Sequence, residues 1–511
     1  MLLDELVATA EAVTSTRSRL AKVESLARLL RRVADESPSE VATAVGMLVA
    51  KPRQGRVGVG WRGLAQVRDA IPAAEAPSLT VRDFDELLDR LSSTSGAGSA
   101  AARTDLLGGF LRRATEREQR FAIGVLLGEM RTGALEGALA DAVAAAGGRP
   151  IALVRRAAML SGDLRETARI ALTGTEEDLS GVGLVVGRPV LPMLAASAKS
   201  PAEALASTGE ASVEFKLDGA RIQVHRAGDE VRVFTRSLAD VTQRVPEVVA
   251  VVQGMPVRDV ILDGETLTLD EGGAPRPFQE TMSRFGAEQA RETVLRPWFF
   301  DVLHVDGRDL LDEPLAVRRA ELARLAPDHV IPGEVTGDPE AAERISREAL
   351  AEGHEGVVVK AIGSPYAAGR RGSSWIKVKP VHTYDLVVLA AEWGSGRRRG
   401  WLSNLHLGAY DPAGEFGEPG GFVMVGKTFK GLTDDLLRWQ TEHFPTLEAS
   451  RDAHTVYLEP VTVVEIAIDG VQRSPRYPGG IALRFARVKR YRDDKRPDDA
   501  DTIQALRTLL R

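Results

Sequence analysis

Cysteine is absent from the 511-residue chain. Disulfides, thiolate nucleophiles and cysteine-ligated zinc are removed together. No apolar run approaches the roughly 18 residues that a membrane-spanning helix needs. Aromatic residues make up only 5%, and the formal charge of −6 provides no overall basic field for drawing in a polyanion. The opening residues, Met1-Leu2-Leu3-Asp4-Glu5-Leu6, carry acids where a secretion signal carries positive charge, so a cytoplasmic location is expected. What remains is a globular composition, 44% hydrophobic and 27% charged, at a length that implies two to four domains.

Three regimes divide the chain. Over residues 1–185 Ala, Leu, Arg and Glu recur at helical spacing, as in Leu20, Val23, Leu26, Leu29, Leu30 and Val33. Ser92 to Ala102 reads as a loop within that region, and Gly128-Glu129-Met130-Arg131-Thr132-Gly133 as a helix-to-helix turn. Over 186–380 the periodicity mixes strand and helix, with a hairpin marked by Ala227-Gly228-Asp229. Over 381–511 short strands alternate with Gly-rich turns, which fits a small β-barrel of the OB type, a fold that commonly binds nucleic acid. The expected fold class is multidomain: an all-α domain, an α+β domain and an all-β domain. Two local basic patches, Gly396 to Trp401 and Arg484 to Arg496, stand against the negative total, and local patches decide phosphate contact.

The run Glu214-Phe215-Lys216-Leu217-Asp218-Gly219-Ala220-Arg221 concentrates chemistry. As a strand it sends Val213, Phe215 and Leu217 into a core and leaves Glu214, Lys216 and Asp218 on the other face, about 7 Å apart. A solvated strand face ending in an Asp-Gly turn is the bland alternative. Further runs follow in order: Ile261-Leu262-Asp263-Gly264-Glu265, Trp298-Phe299-Phe300-Asp301, Glu355-Gly356-Val357-Val358-Val359-Lys360, Trp375-Ile376-Lys377-Val378-Lys379, and Arg484 to Lys495.

This ordered set resembles the nucleotidyltransferase motifs of ATP-dependent DNA ligases, closest to the three-domain bacterial and archaeal enzymes. Arg236 in Phe234-Thr235-Arg236-Ser237, the stretch Tyr366 to Arg371, Gly187 to Ala195 and Arg53 to Gly60 extend the resemblance over nearly the whole chain. The resemblance implies a helical DNA-binding domain over 1–185, an adenylation domain over 186–380 and an OB-fold domain over 381–511. It implies ATP as AMP donor, Mg²⁺, nicked double-stranded DNA as substrate, and action as a monomer. The missing cysteines argue against the NAD-dependent class, for which a four-Cys zinc module is expected.

In the implied reaction Lys216 attacks the α-phosphorus of ATP as a neutral amine, and nearby positive charge favours that form. Lys377 and Lys379, on one strand face, supply such charge and bind the α-phosphate. Phe300 is the stacking ring for adenine, with Phe299 the alternative, and Glu214 accepts a hydrogen bond from the exocyclic amino group. Glu265 partners the ribose hydroxyls. Arg221, Arg236 and Arg371 are the remaining nucleotide or DNA-phosphate contacts. Glu355 is the first candidate for the metal, with Glu265 next. Strand parity sets Lys360 opposite Glu355, which weakens its claim, and Asp218 is expected to fix the turn. Arg487, Asp494 and Lys495 are expected over the ATP, with a hinge near Pro380 to Asp385. The rival readings are an RNA ligase, a GTP-dependent capping-type nucleotidyltransferase and, more remotely, a non-catalytic DNA-binding scaffold.

Overall fold

A computed structural model describes residues 1–510 except 17, 56, 61–63, 65–70, 97, 129–134, 271–272, 274, 277–279, 283–293, 368–370 and 395–397, and except the side chains of residues 135 and 371. The N-terminal region is helical, from Leu3–Ser15 through Glu176–Ser180. Leu26, Leu29, Leu30 and Val33 bury one stripe of the helix Arg19–Glu36, as their spacing requires, while Leu20 in its first turn is 81% exposed. One apolar core, from Leu3 to Leu179, gathers the helices. Thr80, Thr115 and Thr175 each close a helix start with a reciprocal capping box, an arrangement that satisfies two otherwise orphaned backbone donors. The expected loop over Ser92 to Ala102 is shorter than predicted. The helix Val81–Ser93 runs into it, and Ser99–Arg113 begins inside it, because Ala100, Ala101 and Ala102 favour helix once a left-handed Gly98 has turned the chain. The expected turn after Gly128 falls on residues 129–134, outside the described residues.

Among the described residues the central region carries ten strands: β1 (Leu194–Ala198), β2 (Ala211–Phe215), β3 (Ala220–Ala227), β4 (Glu230–Thr235), β5 (Asp259–Thr268), β6 (Leu295–Val305), β7 (Arg308–Asp309), β8 (Gly333–Thr336), β9 (Val357–Ala361) and β10 (Arg371–Val378). They form two five-stranded sheets, β1-β10-β9-β2-β8 and β4-β3-β5-β6-β7. In the first, Val213, Phe215, Val357, Val359, Ile376 and Val378 pack with the helices Pro201–Thr208 and Pro339–Ala351. In the second, Ile222, Val224, Leu262 and Phe299 pack with Pro246–Gln253 and Leu315–Leu325. The sheets meet around Phe300, where Arg221 of one and Lys360 and Trp375 of the other converge.

Beyond Lys379–Val381 the chain enters β11 (His382–Trp393), followed by β12 (Leu402–Asp411), β13 (Gly421–Thr428), β14 (Glu448–Arg451), β15 (Thr455–Leu458), β16 (Val463–Ile468), β17 (Gly470–Arg473), β18 (Ile481–Arg484) and β19 (Arg487–Tyr491). β11 pairs with β12 along one edge and with both β16 and β15 along the other, over an apolar core that includes Leu386, Leu405, Val425 and Ile466. Among the described residues no helix is long and apolar enough to cross a membrane.

One buried ion pair pins the helix Leu315–Leu325 to β6. Arg318 and Asp301 are both fully buried, with Nε to Oδ1 at 2.7 Å and Nη2 to Oδ2 at 3.1 Å, and Arg318 also donates to the carbonyls of Glu313 and Ser364. Removing one partner leaves the other charge unpaired out of water. Arg318→Met is therefore expected to destabilise the chain by about 3–5 kcal/mol, read as a lowered thermal unfolding midpoint.

Candidate active site

Three strand ends are brought together by backbone bonds. The Lys216 N–H donates to the Gly356 carbonyl at 2.8 Å, and the Glu355 N–H donates to the Lys216 carbonyl at 2.9 Å, so pairing of β2 with the approach to β9 runs one residue past Phe215. Gly356 has φ +133°, and a Cβ there would lie 2.3 Å from the Val378 carbonyl oxygen. Only glycine lets β10 come so close. Gly219 is likewise pressed against β5, where a Cβ would lie 2.4 Å from the Thr266 carbonyl oxygen.

At this junction charges alternate. The Lys216 ammonium touches Glu355 Oε2, while Glu355 Oε1 lies 3.9 Å from Lys379 Nζ. Lys379 in turn is 2.6 Å from Asp469 Oδ2, in the C-terminal region, and Arg487 reaches the other Asp469 oxygen at 3.3 Å. Asp218 accepts both arms of Arg484, at 2.7 and 3.2 Å. Two ion pairs thus join the central region to the C-terminal one beside Lys216. Glu265, on β5 opposite Arg221, has its carboxyl pushed up to about 7. Burial is the main cause, and Asp263 and Asp218 push the same way, against Lys216 and Arg221.

A second polar cluster lies deeper. Lys360, 2% exposed, sits 4.2 Å from the Phe300 ring centroid and 4.3 Å from that of Trp375, with Glu214 Oε2 2.5 Å from its ammonium. Burial lowers its pKa, while Glu214 and Asp301 oppose the shift. The other Glu214 oxygen accepts from Ser212 Oγ at 2.7 Å and Arg319 Nη1 at 3.0 Å. Phe300 faces this cluster, whereas Phe299 is fully buried in the core of the second sheet.

The parity reasoning about Lys360 is corrected here. The strand begins only at Val357, and Gly356 breaks the alternation, so Glu355 does not fix which face Lys360 takes. Lys360 shares a face with Val358, Ser212 and Glu214. The Glu214 carboxylate is engaged by Lys360, Arg319 and Ser212. Arg221 forks onto Asp263 at 3.0 and 2.6 Å, with Tyr366 Oη donating to the same carboxylate at 2.7 Å. Arg236 is exposed in the turn after β4, on the rim of a small cavity shared with Arg221 and Asp263. Arg371 opens β10 opposite Leu194, and its side chain lies outside the described residues. Lys377 is half-buried between Ser197 and Val358, alternating with Ile376 and Val378.

Of the three C-terminal residues expected over ATP, only Arg487 stands near Lys379. Asp494 pairs with Arg492, and Lys495 reaches Asp385 of β11 at 2.6 Å, so both are engaged within the C-terminal region. Sequence reasoning missed Arg319 and Asp469. The Arg318-Arg319 pair on an otherwise apolar helical stripe was a readable signal for the first, and Asp469 carried none.

Comparison with known proteins fits this geometry. Residues 192–379 match the ATP dependent DNA ligase domain, 398–495 the ATP dependent DNA ligase C terminal region, and 64–144 the DNA ligase N terminus. A probable DNA ligase of Pseudarthrobacter chlorophenolicus is 70% identical over the whole of both chains. The chain belongs to the ATP-dependent DNA ligase family. A probable DNA ligase of Rhodococcus jostii is 56% identical, again over the full length of both. Among solved structures, Pmar-Lig_PreS3 shares the fold with a TM-score of 0.64 at 18% identity, over 95% of this chain and 99% of that one.

The ligase has no cluster of three or more His, Asp or Glu side chains able to hold a metal among its described residues. Glu355 and Glu265 nevertheless offer hard oxygen ligands beside Lys216. Such a set fits Mg²⁺, which keeps several waters and takes the rest of its shell from substrate phosphates.

The raised Glu265 pKa fixes a sign. Its protonated form is favoured by the fold, so its contribution to stability is full below about pH 4.5 and is lost as pH rises through about 7. Without nucleotide, Glu265→Gln should remove that loss, flattening the fall of the unfolding midpoint between pH 5 and 8 by the equivalent of roughly 2 kcal/mol. Thermal scans of both proteins across that range check it.

Proposed function

We propose that this ligase seals nicks in duplex DNA through a lysyl-AMP and then a DNA-adenylate, with Lys216 as the nucleophile. The convergence of Lys216, Glu355 and Lys379 at three joined strand ends carries this reading. In the first step the Lys216 amine loses a proton, its lone pair forms a bond to the α-phosphorus of ATP, and the bond to pyrophosphate breaks. Glu355, already in contact with the Lys216 ammonium, is the carboxylate suited to receive that proton. Lys379 and Lys377 offset the charge that builds on the phosphoryl oxygens. A bound Mg²⁺ would neutralise the departing pyrophosphate, held by Glu355 with Glu265 as second ligand. Next an oxygen of the nick's 5′-phosphate takes the adenylate, breaking the P–N bond. Finally the 3′-hydroxyl attacks that phosphate and AMP leaves.

Base selection follows from the buried pair. Adenine presents an amino donor beside a ring-nitrogen acceptor, and a carboxylate beside an ammonium, as in Glu214 and Lys360, matches that edge. Guanine reverses both partners and would meet like against like. Phe300 offers a ring face for stacking, Glu265 a partner for the ribose hydroxyls, and Arg221, Arg236 and Arg371 contacts for phosphate. The helical region is proposed to grip the duplex through backbone amides and cationic side chains, and the C-terminal sheet is read as an OB-type barrel. A monomer acting in the cytoplasm completes the reading.

Incubation with α-labelled ATP and Mg²⁺ should label the protein covalently, and Lys216→Ala should reduce the label by at least about a thousandfold, as loss of a covalent nucleophile does. Labelling that survives Lys216→Ala would sink the assignment. Equal labelling from GTP would point to capping chemistry, and faster sealing of nicked RNA than of nicked DNA would point to an RNA ligase.

A further inference from the structure

The segment that joins the helical region to the central one is held on both of its sides. On one side stand three residues of β3 at alternate positions, Arg221, Gln223 and His225, which share a face. Arg221 Nη1 donates to the Met193 carbonyl at 2.7 Å. Gln223 pairs with Val190 in both directions, accepting from its N–H at 2.8 Å and donating to its carbonyl at 3.2 Å. His225 Nδ1 accepts from the Gly187 N–H at 3.0 Å, which leaves the proton on Nε2, 2.9 Å from Gln223 Oε1. Gln223 and His225 are 4% and 1% exposed. Burial holds the His225 pKa down at about 3, so the ring is neutral at ordinary pH.

On the other side stands the end of a helix of the helical region, Ile151–Ser161. The Leu191 N–H donates to the Met159 carbonyl at 3.0 Å. Gly162, at φ +66°, lies so close that a Cβ would sit 2.6 Å from the Pro189 carbonyl oxygen. Met159, Leu160, Val190 and Met193 share one apolar cluster. Residues 187–193 are therefore sandwiched between β3 and the helical region, and the sandwich uses backbone groups whose positions are fixed.

Polar side chains on a buried strand face cost free energy unless every hydrogen bond is made. Valine at 223 and 225 would satisfy a sheet just as well. What glutamine and histidine add there is a grip on one particular backbone segment, and hence a set angle between the two regions.

We infer that Gln223 and His225 are positioning residues for the DNA half of the reaction: through residues 187–193 they hold the helical region at the angle at which it presents a nicked duplex to Lys216. This rests on the ligase reading above. The residues proposed above for lysine adenylation all lie in the central region, so that step does not depend on the angle. Nick binding does.

The test uses the full chain with Gln223→Leu and His225→Phe together, and separately Gly162→Ala, which pushes on the Pro189 carbonyl from the opposite side. In both, labelling by α-labelled ATP without DNA should stay within about twofold, kcat at saturating nick should hold, and KM for nicked duplex should rise about tenfold. Because the chain lacks cysteine, Glu24→Cys and Ser207→Cys can carry a donor and acceptor dye, and the inter-dye distance distribution should broaden in both variants. An unchanged distribution would overturn the inference, as would adenylation and sealing falling in step. The distance readout stands whether or not the wild-type chain takes up label, so failure of the strap and failure of the ligase reading are separate results.

Discussion

Everything at the site hangs on a pair of backbone hydrogen bonds. Lys216 and the residues Glu355 and Gly356 exchange them just past the last assigned residue of β2. The bond from Lys216 N–H to the Gly356 carbonyl fixes the backbone of the proposed nucleophile, and the reciprocal bond from Glu355 fixes the carboxylate beside it. Gly356 supplies the third constraint, because its missing side chain is the space into which the Val378 carbonyl fits. A larger residue would push β10 away, and Lys379, one residue past its end, would move with it. Two lysines and a carboxylate from three remote segments are thereby held by main-chain geometry, which is stiffer than any salt bridge between long side chains.

Behind this junction the protein spends much of its polar inventory out of water. Glu214, Lys360, Asp301, Arg318 and Asp263 are all buried, and each is paired. Buried ion pairs are weak sources of stability, because desolvation offsets most of the attraction. Their value here is directional. Each of these pairs lies within one sheet and its helix, so it fixes strand register and helix position: a shift of one residue would strand its charges at several kcal/mol each. Between the two sheets one tie is Arg319, on the helix packed against the second, which reaches Ser212, Glu214 and the Gly333 carbonyl of the first.

The sequence made the three regions readable, because helical spacing, mixed periodicity and short Gly-punctuated strands follow from backbone period and turn chemistry. Alternation also sorted β2 correctly: Val213, Phe215 and Leu217 do lie in one apolar cluster. It failed at Lys360, where the rule was carried through a glycine at φ +133° that ends the regular strand. Gly-Val after Glu was visible as a letter pattern, but the positive φ was not. Asp494 and Lys495 were hard to place for another reason. In a dense run of charged residues every side chain looks available for nucleotide, and only the fold reveals that Arg492 and Asp385 engage these two within the C-terminal region. Asp469, which holds Lys379, sits 90 residues away in sequence, in a strand turn with no local signal at all.

That last contact bears on how the regions work together. Lys379 and Asp218 each face an opposite charge from the C-terminal region, Asp469 and Arg484. The connection between β10 and β11 is only Lys379–Val381, so one of the bridging cations is itself part of the joint. In the proposed reaction a triphosphate would bring negative charge to the surroundings of Lys379, where Asp469 already supplies one, and the two would compete for the same ammonium. Arg484 would meet the opposite situation, since Asp218 holds it near Lys216 and an added negative charge would gain from it. On that reading one inter-region bridge would weaken as the other kept its cation, because both are built from charges beside Lys216.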